Sequence, residues 1–351
     1  SGRQMGGHYN TDLIDENGSW LTQTDRYNSS SDVSCTASQM PRLVGLAMAS
    51  KLYRSEKSFD NPKFSINGNE VAWGTIGNAS TSEGLFFESF NAAGVHQIPM
   101  VISVWDDEYG ISVDNSFQTV KESISEALAG FKRNKSKDGF EIFSVKGWDY
   151  PNLIHTFQKS GEIARTNHVP VLIHVTELTQ PQGHSTSGSH ERYKSDNRLK
   201  WEKENDCNLK FRSWIIDNNI ATEAELEAIE TSSKQEAKKA KENAWEASLE
   251  PIRNEAKQLT NCLSDAADEG LIKEGQRLLK DKSINRKKIA SFARKSLRVL
   301  RKHPHSQTEK LQSWIANYFE ETQPKFSGSL YNETKTSSLE VNKVEVSYDD
   351  E

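Results

Sequence analysis

Cysteine is scarce in this sequence, since 351 residues include only three. Cys35, Cys207 and Cys262 are odd in number and far apart, so we expect neither a disulfide framework nor a Cys-x-x-Cys metal site. Long apolar runs are missing too, and none approaches the ~18 residues that a membrane-spanning helix needs. The sequence therefore predicts a protein without membrane spans, with its thiols in the core or on the surface.

A basic excess is missing as well, because 50 acidic side chains outnumber 44 basic ones and the formal net charge is −6. Binding to nucleic acid usually requires a positive surface, so we expect no nucleic-acid partner. The chain opens with Ser1, Gly2 and Arg3, which do not resemble a signal peptide. We therefore expect a cytoplasmic protein, and its length allows one large domain or two smaller ones.

The most informative stretch is residues 71–113, VAWGTIGNASTSEGLFFESFNAAGVHQIPMVISVWDDEYGISV. An apolar run over residues 71–76 predicts a strand, and Gly77 predicts a tight turn after it. Apolar residues at helical spacing predict a helix that begins near Ser80. A second apolar run, over residues 98–105, predicts another strand. This order predicts two parallel strands joined by a right-handed crossover.

Polar residues follow both of these strands. Because the carboxyl ends of parallel strands meet at one edge of a sheet, we expect Asn78 and Asp107 to face the same site. The N–H groups at the start of the intervening helix would point there too, and such groups bind phosphate. Amide, carboxylate and carbonyl oxygens, together with diphosphate oxygens, form the oxygen-only shell that suits Mg²⁺. The sequence therefore predicts a diphosphate held through a metal ion.

Later segments continue this pattern. Residues 121–131 and 151–165 carry apolar residues at helical spacing, and residues 141–145 and 169–175 predict further strands. His174 lies inside the last of these runs, where we expect a hydrogen-bonded core histidine rather than a metal ligand. Strands that alternate with helices predict an α/β fold.

The motifs at residues 77–79 and 106–109 resemble those of a known family, the α subunit of the decarboxylating component of 2-oxo-acid dehydrogenase complexes. That family binds thiamine diphosphate and carries Gly-Asp-Gly, followed further along by Asn-Asn and an aromatic residue. This chain has Gly77-Asn78-Ala79 and Asp106-Asp107-Glu108-Tyr109. The resemblance implies an α/β thiamine diphosphate-binding fold, a parallel sheet with helices on both faces, followed here by a helical C-terminal extension.

The resemblance also implies the site residues. Mg²⁺ would be held by the side chains of Asn78 and Asp107 and by the backbone carbonyl of Tyr109. The thiazolium and diphosphate would lie against Ser34, Thr36, Gly77, Ala79, Ser80 and His184. The chain departs from the family at both metal side chains, with Asn for Asp at 78 and Asp for Asn at 107. Because this exchange keeps the number and total charge of the oxygen ligands, we expect the metal site to be retained.

A second informative loop covers residues 180–193, QPQGHSTSGSHERY. Its His-Ser-Thr-Ser segment resembles the loop of branched-chain 2-oxo-acid enzymes more closely than that of pyruvate enzymes. The resemblance implies that His184 touches the diphosphate and handles protons during acyl transfer to lipoyl, a role that suits an imidazole. A solvated serine-rich loop is the alternative. Ser185 occupies the position that is phosphorylated in animal relatives, although nothing in the sequence shows a kinase for it.

The composition changes after Leu199. We divide the chain into a thiamine diphosphate-binding domain over residues 1–220, a helical extension over residues 221–323 and a flexible linker or tail over residues 324–351. Lys, Glu and Ala predict a long helix at the start of the extension, broken at Pro251.

Two further helices are predicted over residues 272–279 and 289–300. The basic run that begins at Arg286 alternates with apolar residues, which favours packing against a partner over nucleic-acid binding. One branch of the family fuses its α and β parts through a helical connector. The resemblance therefore implies that the extension is this connector.

The resemblance implies that the intact enzyme catalyses oxidative decarboxylation of a 2-oxo acid and transfers the acyl group to a lipoyl carrier. A branched-chain acid such as 3-methyl-2-oxobutanoate is the expected substrate, and pyruvate is the alternative. The implied partners are the lipoyl acyltransferase core and a β subunit or fused β part, which completes a heterotetramer and carries the activating glutamate. We expect this chain alone to be inactive. Residues 3–9 match a family motif without its upstream part, so we also expect a truncated N-terminus.

Two functions of other classes stay open. A metal-dependent hydrolase would use Asp106 and Asp107 as a carboxylate pair and would turn over without thiamine diphosphate. Adjacent side chains at the end of a strand point to opposite faces, which disfavours that pair. A noncatalytic helical scaffold would use only residues after Leu199, and would bind its partner without the preceding part of the chain.

Overall fold

The structure is a computed structural model, which describes residues 10–30, 33, 35–135, 138–184, 189–264, 268–302 and 306–327. The predicted motif at residues 3–9, Ser34, Ser185 and residues 328–351 of the predicted tail lie outside the described residues. The chain divides into two compact units, Ser1–Thr222 and Glu223–Glu351. The first unit is built around a parallel sheet, and the described part of the second is helical.

The secondary-structure elements have the following bounds. The described strands are β1 (Ala72–Gly77), β2 (Met100–Trp105), β3 (Tyr109–Gly110), β4 (Val113–Asp114), β5 (Glu141–Lys146) and β6 (Val171–Thr176). The helices of the first unit are α1 (Gln39–Ser55), α2 (Gly84–His96), α3 (Ile124–Ala127), α4 (Tyr150–Asn167), α5 (Asp196–Glu204) and α6 (Cys207–Asp217). Those of the second unit are α7 (Glu223–Asn261), α8 (Glu269–Lys280), α9 (Arg286–Leu300) and α10 (Ser306–Ser327).

The main sheet is parallel and has the strand order β1, β2, β6, β5. β1 is joined to β2 through α2, and β5 is joined to β6 through α4, as parallel neighbours require a crossover connection. The last of the described strands, β6, lies between β2 and β5. The carboxyl ends of these strands therefore meet at one edge of the sheet, where ligands bind in folds of this kind.

The two central strands, β2 and β6, are buried on both faces. Ile102, Val104 and Leu172 belong to a core that includes residues of α1, α2 and α3. Val101 and Ile173, which alternate with them along the strands, pack instead with α4. A strand covered on both faces needs apolar residues at successive positions, which explains the unbroken apolar runs in the sequence. The predicted fold class, a parallel sheet with helices on both faces, is confirmed.

The helix after β1 begins later than predicted. The prediction placed its start near Ser80, whereas a 3₁₀ turn covers Ala79–Ser82 and α2 begins at Gly84. Glu83 separates the two because its backbone is extended, with a ψ of 141°. The turn after β1 is therefore tighter than the first turn of an α-helix.

The single helix predicted over residues 121–131 is wrong. Lys121 and Glu122 adopt left-handed backbone conformations with φ angles of 61° and 55°, which an α-helix cannot include. The side chain of Ser123 then accepts a hydrogen bond from the N–H of Glu126 and starts the short helix α3. Apolar spacing alone did not reveal this change of backbone direction.

The predicted break at Pro251 is also wrong, because α7 is one helix of 39 residues that includes Pro251. Proline removes one helical hydrogen bond and crowds the preceding turn. Leu249 and Ile252, on either side, are buried in the core of the second unit, and this packing offsets the local cost. α10 extends to Ser327, past residue 324 where the sequence predicted the tail to start. Among the described helices, none has the length and apolar character required to cross a membrane.

Candidate functional site

A cavity of about 890 Å³ opens at the carboxyl edge of β1 and β2. The last residues of these strands, Gly77 and Trp105, are paired in register, so the segments that follow them lie side by side. The predicted site residues that line the cavity are Thr36, Gly77, Asn78, Ala79, Ser80, Asp107, Tyr109 and His184. The structure thus brings together every predicted site residue that it describes, since Ser34 lies outside the described residues.

Asn78 is the first buried polar group of the cavity, with only 4% of its surface exposed. Its backbone N–H donates to the carbonyl of Trp105 at 3.2 Å, and its own carbonyl accepts from the N–H of Thr81 at 3.1 Å. Its side-chain Nδ2 has no hydrogen-bond partner among the described residues. A buried amide without a partner is costly, which marks this position as a place for a ligand. Rotation of the amide by half a turn presents its oxygen at the same point.

The turn from Gly77 to Ser80 forms one wall of the cavity. Among the described residues, the backbone N–H groups of Ala79 and Ser80 have no backbone acceptor. A Cβ at Gly77 would meet only the hydroxyl of Ser80, at 4.0 Å, so the space beside this glycine is open. Unpaired N–H groups beside open space suit the oxygens of a phosphate.

Asp107 supplies a carboxylate to the same cavity and is 8% exposed. Burial raises the pKa of Asp107 above its usual value, while the N–H of Tyr109, at 3.3 Å, and the charge of Lys194 act in the opposite direction. Burial therefore outweighs the stabilisation that the protein gives to the charged carboxylate. A divalent cation would supply the missing positive charge.

The chain reverses direction just after Asp107. Glu108 has a left-handed backbone with a φ of 69°, and β3 and β4 then form a short hairpin. A Cβ on Gly110 would lie 2.6 Å from the Cβ of Ala79, a distance that real Cβ atoms essentially never show. Gly110 therefore allows the hairpin to approach the turn after β1, which places the two predicted metal-binding segments against each other.

Asp106 points elsewhere. Its Oδ2 lies 2.8 Å from Nε2 of His174, and its Oδ1 accepts from the N–H of Glu108 at 2.8 Å. The other ring nitrogen of His174 lies 2.8 Å from the hydroxyl of Ser125, so the buried histidine is hydrogen-bonded on both sides as predicted. The carboxylate of Asp106 thus binds His174, whereas Asp107 lines the cavity, which disfavours a hydrolytic carboxylate pair. No group of three or more His, Cys, Asp or Glu side chains in the described part of the chain is arranged to hold a metal.

His184 lines the far side of the cavity and is exposed. The described chain resumes at Ser189, and the phenol of Tyr193 interacts with the backbone of His184. Burial raises the pKa of this phenol. Tyr193 also contacts Tyr109, with ring centroids 5.7 Å apart, so the segment after His184 reaches the turn that follows Asp107.

Several lining residues were absent from the predicted site. Leu178, Thr179 and Gln180 follow β6, and the rule that located Asn78 and Asp107 would have found them had the strand order been known. The remaining lining residues outside the predicted site are Val33, Cys35, Ala37, Gln39, Thr75, Ile76, Trp105, Gly110, Ile111 and Gln118. Most of these flank predicted residues, whereas Gln118 comes from a loop with no motif.

A profile of the family described as "Dehydrogenase E1 component" matches residues 22–252, more than half of the chain. The chain belongs to this family. This membership agrees with the resemblance drawn from the motifs, which was to the α component of 2-oxo-acid dehydrogenases that use thiamine diphosphate. All the described residues of the cavity fall inside the matched range.

Individual relatives share modest identity with this E1 chain. It is similar to the pyruvate dehydrogenase E1 component subunit alpha of Rickettsia bellii, with 27% identity over 58% of this chain and 56% of the relative. It is also similar to the 2-oxoisovalerate dehydrogenase subunit alpha of Bacillus subtilis, with 24% identity over 72% of this chain and 68% of the relative. The chain spans little more than half the length of its pyruvate-type relatives.

A solved structure of transketolase from Campylobacter jejuni covers 51% of this chain and 26% of its own, with 16% identity and a TM-score of 0.29. A superposition at this level adds nothing to the family assignment. The assignment depends on the sequence match alone.

Proposed function

We propose that this chain is the α part of a thiamine diphosphate- and Mg²⁺-dependent enzyme that oxidatively decarboxylates a 2-oxo acid and transfers the acyl group to a lipoyl carrier. The observation that carries the proposal is the meeting of Asn78 and Asp107 in one cavity, at the ends of adjacent parallel strands. Membership of the Dehydrogenase E1 component family supports the same chemistry.

The residues of the cavity fit a hydrated hard cation bound to diphosphate. Asn78 offers a buried amide without a partner, and Asp107 offers a carboxylate that burial leaves short of positive charge. With the backbone carbonyl of Tyr109 they form an oxygen-only donor set, which suits Mg²⁺ and leaves positions for phosphate oxygens and water. The exchange of Asn and Asp relative to the family pattern keeps one carboxylate and one amide in that set.

The rest of the cavity provides binding and proton handling. The backbone N–H groups of Ala79 and Ser80 would hold diphosphate oxygens, and Thr36, which lines the same cavity, would contact the cofactor. His184 would hold or donate a proton during acyl transfer, since it lines the same cavity. When bound, thiamine diphosphate supplies the carbanion chemistry of decarboxylation. The activating glutamate is expected on the β part, so the α part alone would not turn over.

For the substrate we propose a branched-chain 2-oxo acid such as 3-methyl-2-oxobutanoate. The support is the His-Ser-Thr-Ser segment that begins at His184, together with the similarity to a 2-oxoisovalerate dehydrogenase subunit alpha. Pyruvate is the second candidate, because several relatives are named pyruvate dehydrogenase E1 component subunit alpha. A β subunit or fused β part and a lipoyl acyltransferase core are the proposed partners, with residues 221–323 as a helical connector to the β part and residues 324–351 as a linker.

The test is a titration of thiamine diphosphate into this chain, reconstituted with its β part, at increasing Mg²⁺. Binding is followed by tryptophan fluorescence, since Trp105 lines the cavity. We expect saturable binding that requires Mg²⁺ and disappears in Asp107→Ala, while Asp60→Ala, at an exposed acidic residue, binds normally. Absence of binding by the wild-type chain would contradict the proposed function.

Rates of decarboxylation then separate the two substrates. We expect a higher kcat/KM for 3-methyl-2-oxobutanoate than for pyruvate in the reconstituted enzyme. The opposite order would replace the first substrate by the second and leave the cofactor chemistry intact.

A further inference from the structure

Arg198 of α5 contacts the turn that carries the proposed metal ligands. Its Nη2 donates to the backbone carbonyl of Asp107 at 2.9 Å, and its Nη1 is paired with the carboxylate of Glu108. Its guanidinium carbon lies 5.5 Å from the ring centroid of Tyr109, a cation–π distance. One side chain thus contacts three consecutive residues of the turn, and two of them are proposed ligands.

Arg198 is itself held in place. Its Nε donates to Oε1 of Glu202, one helical turn later, at 2.9 Å, and Nζ of Lys194 donates to the same oxygen at 2.6 Å. The side chains of Lys194 and Glu202 are each 1% exposed, so water does not compete for this pair. The ring of Trp201 lies 4.7 Å from the guanidinium carbon of Arg198. These contacts fix the planar guanidinium, which matches the several acceptors around it in a way that a lysine ammonium cannot.

The turn needs such support. Glu108 adopts a left-handed backbone that a residue with a side chain rarely takes, and such conformations persist only where the surroundings determine them. The hydrogen bond from Arg198 fixes the plane of the peptide between Asp107 and Glu108. The orientation of this peptide plane sets the direction of the Asp107 side chain, which precedes it. It also sets the backbone direction after it, and so the position of the Tyr109 carbonyl.

The charges of this cluster also suit a cation site. The positive charges of Arg198 and Lys194 are balanced by the carboxylates of Glu202 and Glu108. A lone arginine behind a metal site would repel Mg²⁺ through the weakly polarisable interior. The balanced cluster positions the turn without that repulsion.

We propose that Arg198, held by Glu202, is a positioning residue for the Mg²⁺ site and sets the geometry of Asp107 and the Tyr109 carbonyl. The proposal rests on the proposed function, since it assigns to a residue of α5 the support of the Mg²⁺ ligands in that site. Arg198 is not among the residues that line the cavity, so its proposed role is to position the ligands rather than to bind the metal. Removal of such supporting partners typically weakens metal affinity by ~10–100-fold.

The first measurement is hydrogen exchange of the full chain without any ligand. The variant is Arg198→Met, which keeps an unbranched apolar stem but lacks the guanidinium and all its donors, and the control is Lys200→Ala, a 76% exposed lysine on the same helix. We expect exchange at the amides of residues 108–110 to become faster by about tenfold in Arg198→Met, with β2 unchanged. Unchanged protection of these amides would overturn the proposal.

The second measurement is the Mg²⁺ concentration that gives half-maximal thiamine diphosphate binding in the chain reconstituted with its β part. We expect a ~10–100-fold increase in Arg198→Met, an intermediate value in Arg198→Lys and no change in Lys200→Ala. A Met variant that binds with a wild-type Mg²⁺ midpoint would overturn the proposal. If Arg198→Met does not fold, both measurements are made on Arg198→Lys. A wild-type Mg²⁺ midpoint together with wild-type hydrogen exchange in Arg198→Lys would then overturn the proposal.

The two measurements separate the failure of this inference from the failure of the proposed function. A wild-type chain without Mg²⁺-dependent binding overturns both the function and the assignment of Arg198 to a metal site. Faster exchange in Arg198→Met would in that case show only that Arg198 stabilises the turn of residues 107–109. Wild-type binding with an unaltered midpoint in the variant overturns only the role of Arg198.

Discussion

Replacement of His174 by leucine tests how the buried pair with Asp106 supports the carboxyl edge of the sheet. Both side chains are almost fully buried, at 2% and 4% exposure. His174→Leu leaves the buried carboxylate of Asp106 with its hydrogen bond from the backbone N–H of Glu108. It also removes one hydrogen-bond partner of the Ser125 hydroxyl. Removal of one partner of a buried charged group typically costs ~3–5 kcal/mol.

Because Asp106 keeps one hydrogen bond, we expect the lower end of that range, about 3 kcal/mol of unfolding free energy. A unit of this size loses ~2–4 °C of unfolding temperature per kcal/mol, so the expected decrease is about 6–12 °C. The double variant His174→Leu with Asp106→Asn removes the buried charge together with its partner. It should recover at least half of the loss, because deletion of both partners costs less than deletion of one.

The assay is native-state hydrogen exchange of the β6 amides in the full chain, which reports the first unit separately from the second. His155→Leu, at an exposed histidine of α4, is the matched control. A single variant within about 1 kcal/mol of wild type would refute the reasoning, since a loss of the buried pair should exceed that. A double variant no more stable than the single one would refute the assignment of the loss to an unpaired carboxylate.

Three further predictions concern other positions. Gly110→Ala should push the hairpin away from Ala79, because the added Cβ would lie 2.6 Å from the Ala79 Cβ. This displacement should raise the Mg²⁺ concentration at the midpoint of the binding titration. The control Gly130→Ala, with open space at its Cβ, should leave that midpoint unchanged. Burial lowers the pKa of His168, whose Nε2 donates to the carbonyl of Gly68 at 2.8 Å. The unfolded chain therefore binds this proton more readily, so the stability that His168 contributes is complete above about pH 6.5 and decreases as the pH falls through the folded-state pKa. Thermal unfolding from pH 7.5 to 5.5 should show this decrease in the wild type and a smaller one in His168→Asn. Pro251→Ala should stabilise the second unit by about 1–3 kcal/mol in urea unfolding followed by exchange of α7 amides, because a proline inside a helix is unfavourable by that order.

Each of these predictions has a contradicting result. A Gly110→Ala chain with a wild-type Mg²⁺ midpoint would mean that the hairpin tolerates the displacement. Equal pH dependence in wild type and His168→Asn would assign the acid sensitivity to other groups. No gain in Pro251→Ala would mean that the helix already compensates for the missing hydrogen bond.

The sequence predicted the α/β class and the meeting of Asn78 and Asp107, because apolar runs and the residues that end them are local features. The turns around them were predicted less well. The backbone reversal at Lys121 and Glu122 depends on left-handed conformations of residues that seldom adopt them, so apolar spacing gave no sign of it. The continuation of α7 through Pro251 depends on burial of its neighbours, which is a tertiary effect.

The support behind the site was not predictable from the sequence. Lys194, Arg198 and Glu202 belong to no motif in the sequence, yet Lys194 and Glu202 are buried. The hydrogen bonds of Arg198 with Asp107 and Glu108 join positions about ninety apart in the chain. The assignment of Asn78, Asp107, Tyr109 and His184 to a metal and cofactor stays a prediction, which the titrations above test.

The strand order of the sheet also has a consequence for synthesis on the ribosome. β2 is complete at Trp105, but its neighbour β6 is complete only at Thr176, roughly 70 residues later. At a translation rate of ~5–20 residues per second, the apolar edge of β2 stays unpaired for about 4–14 s. During that interval the nascent chain presents an open strand edge to chaperones and to other nascent chains. The cavity is therefore assembled late, when the final strand enters the middle of the sheet.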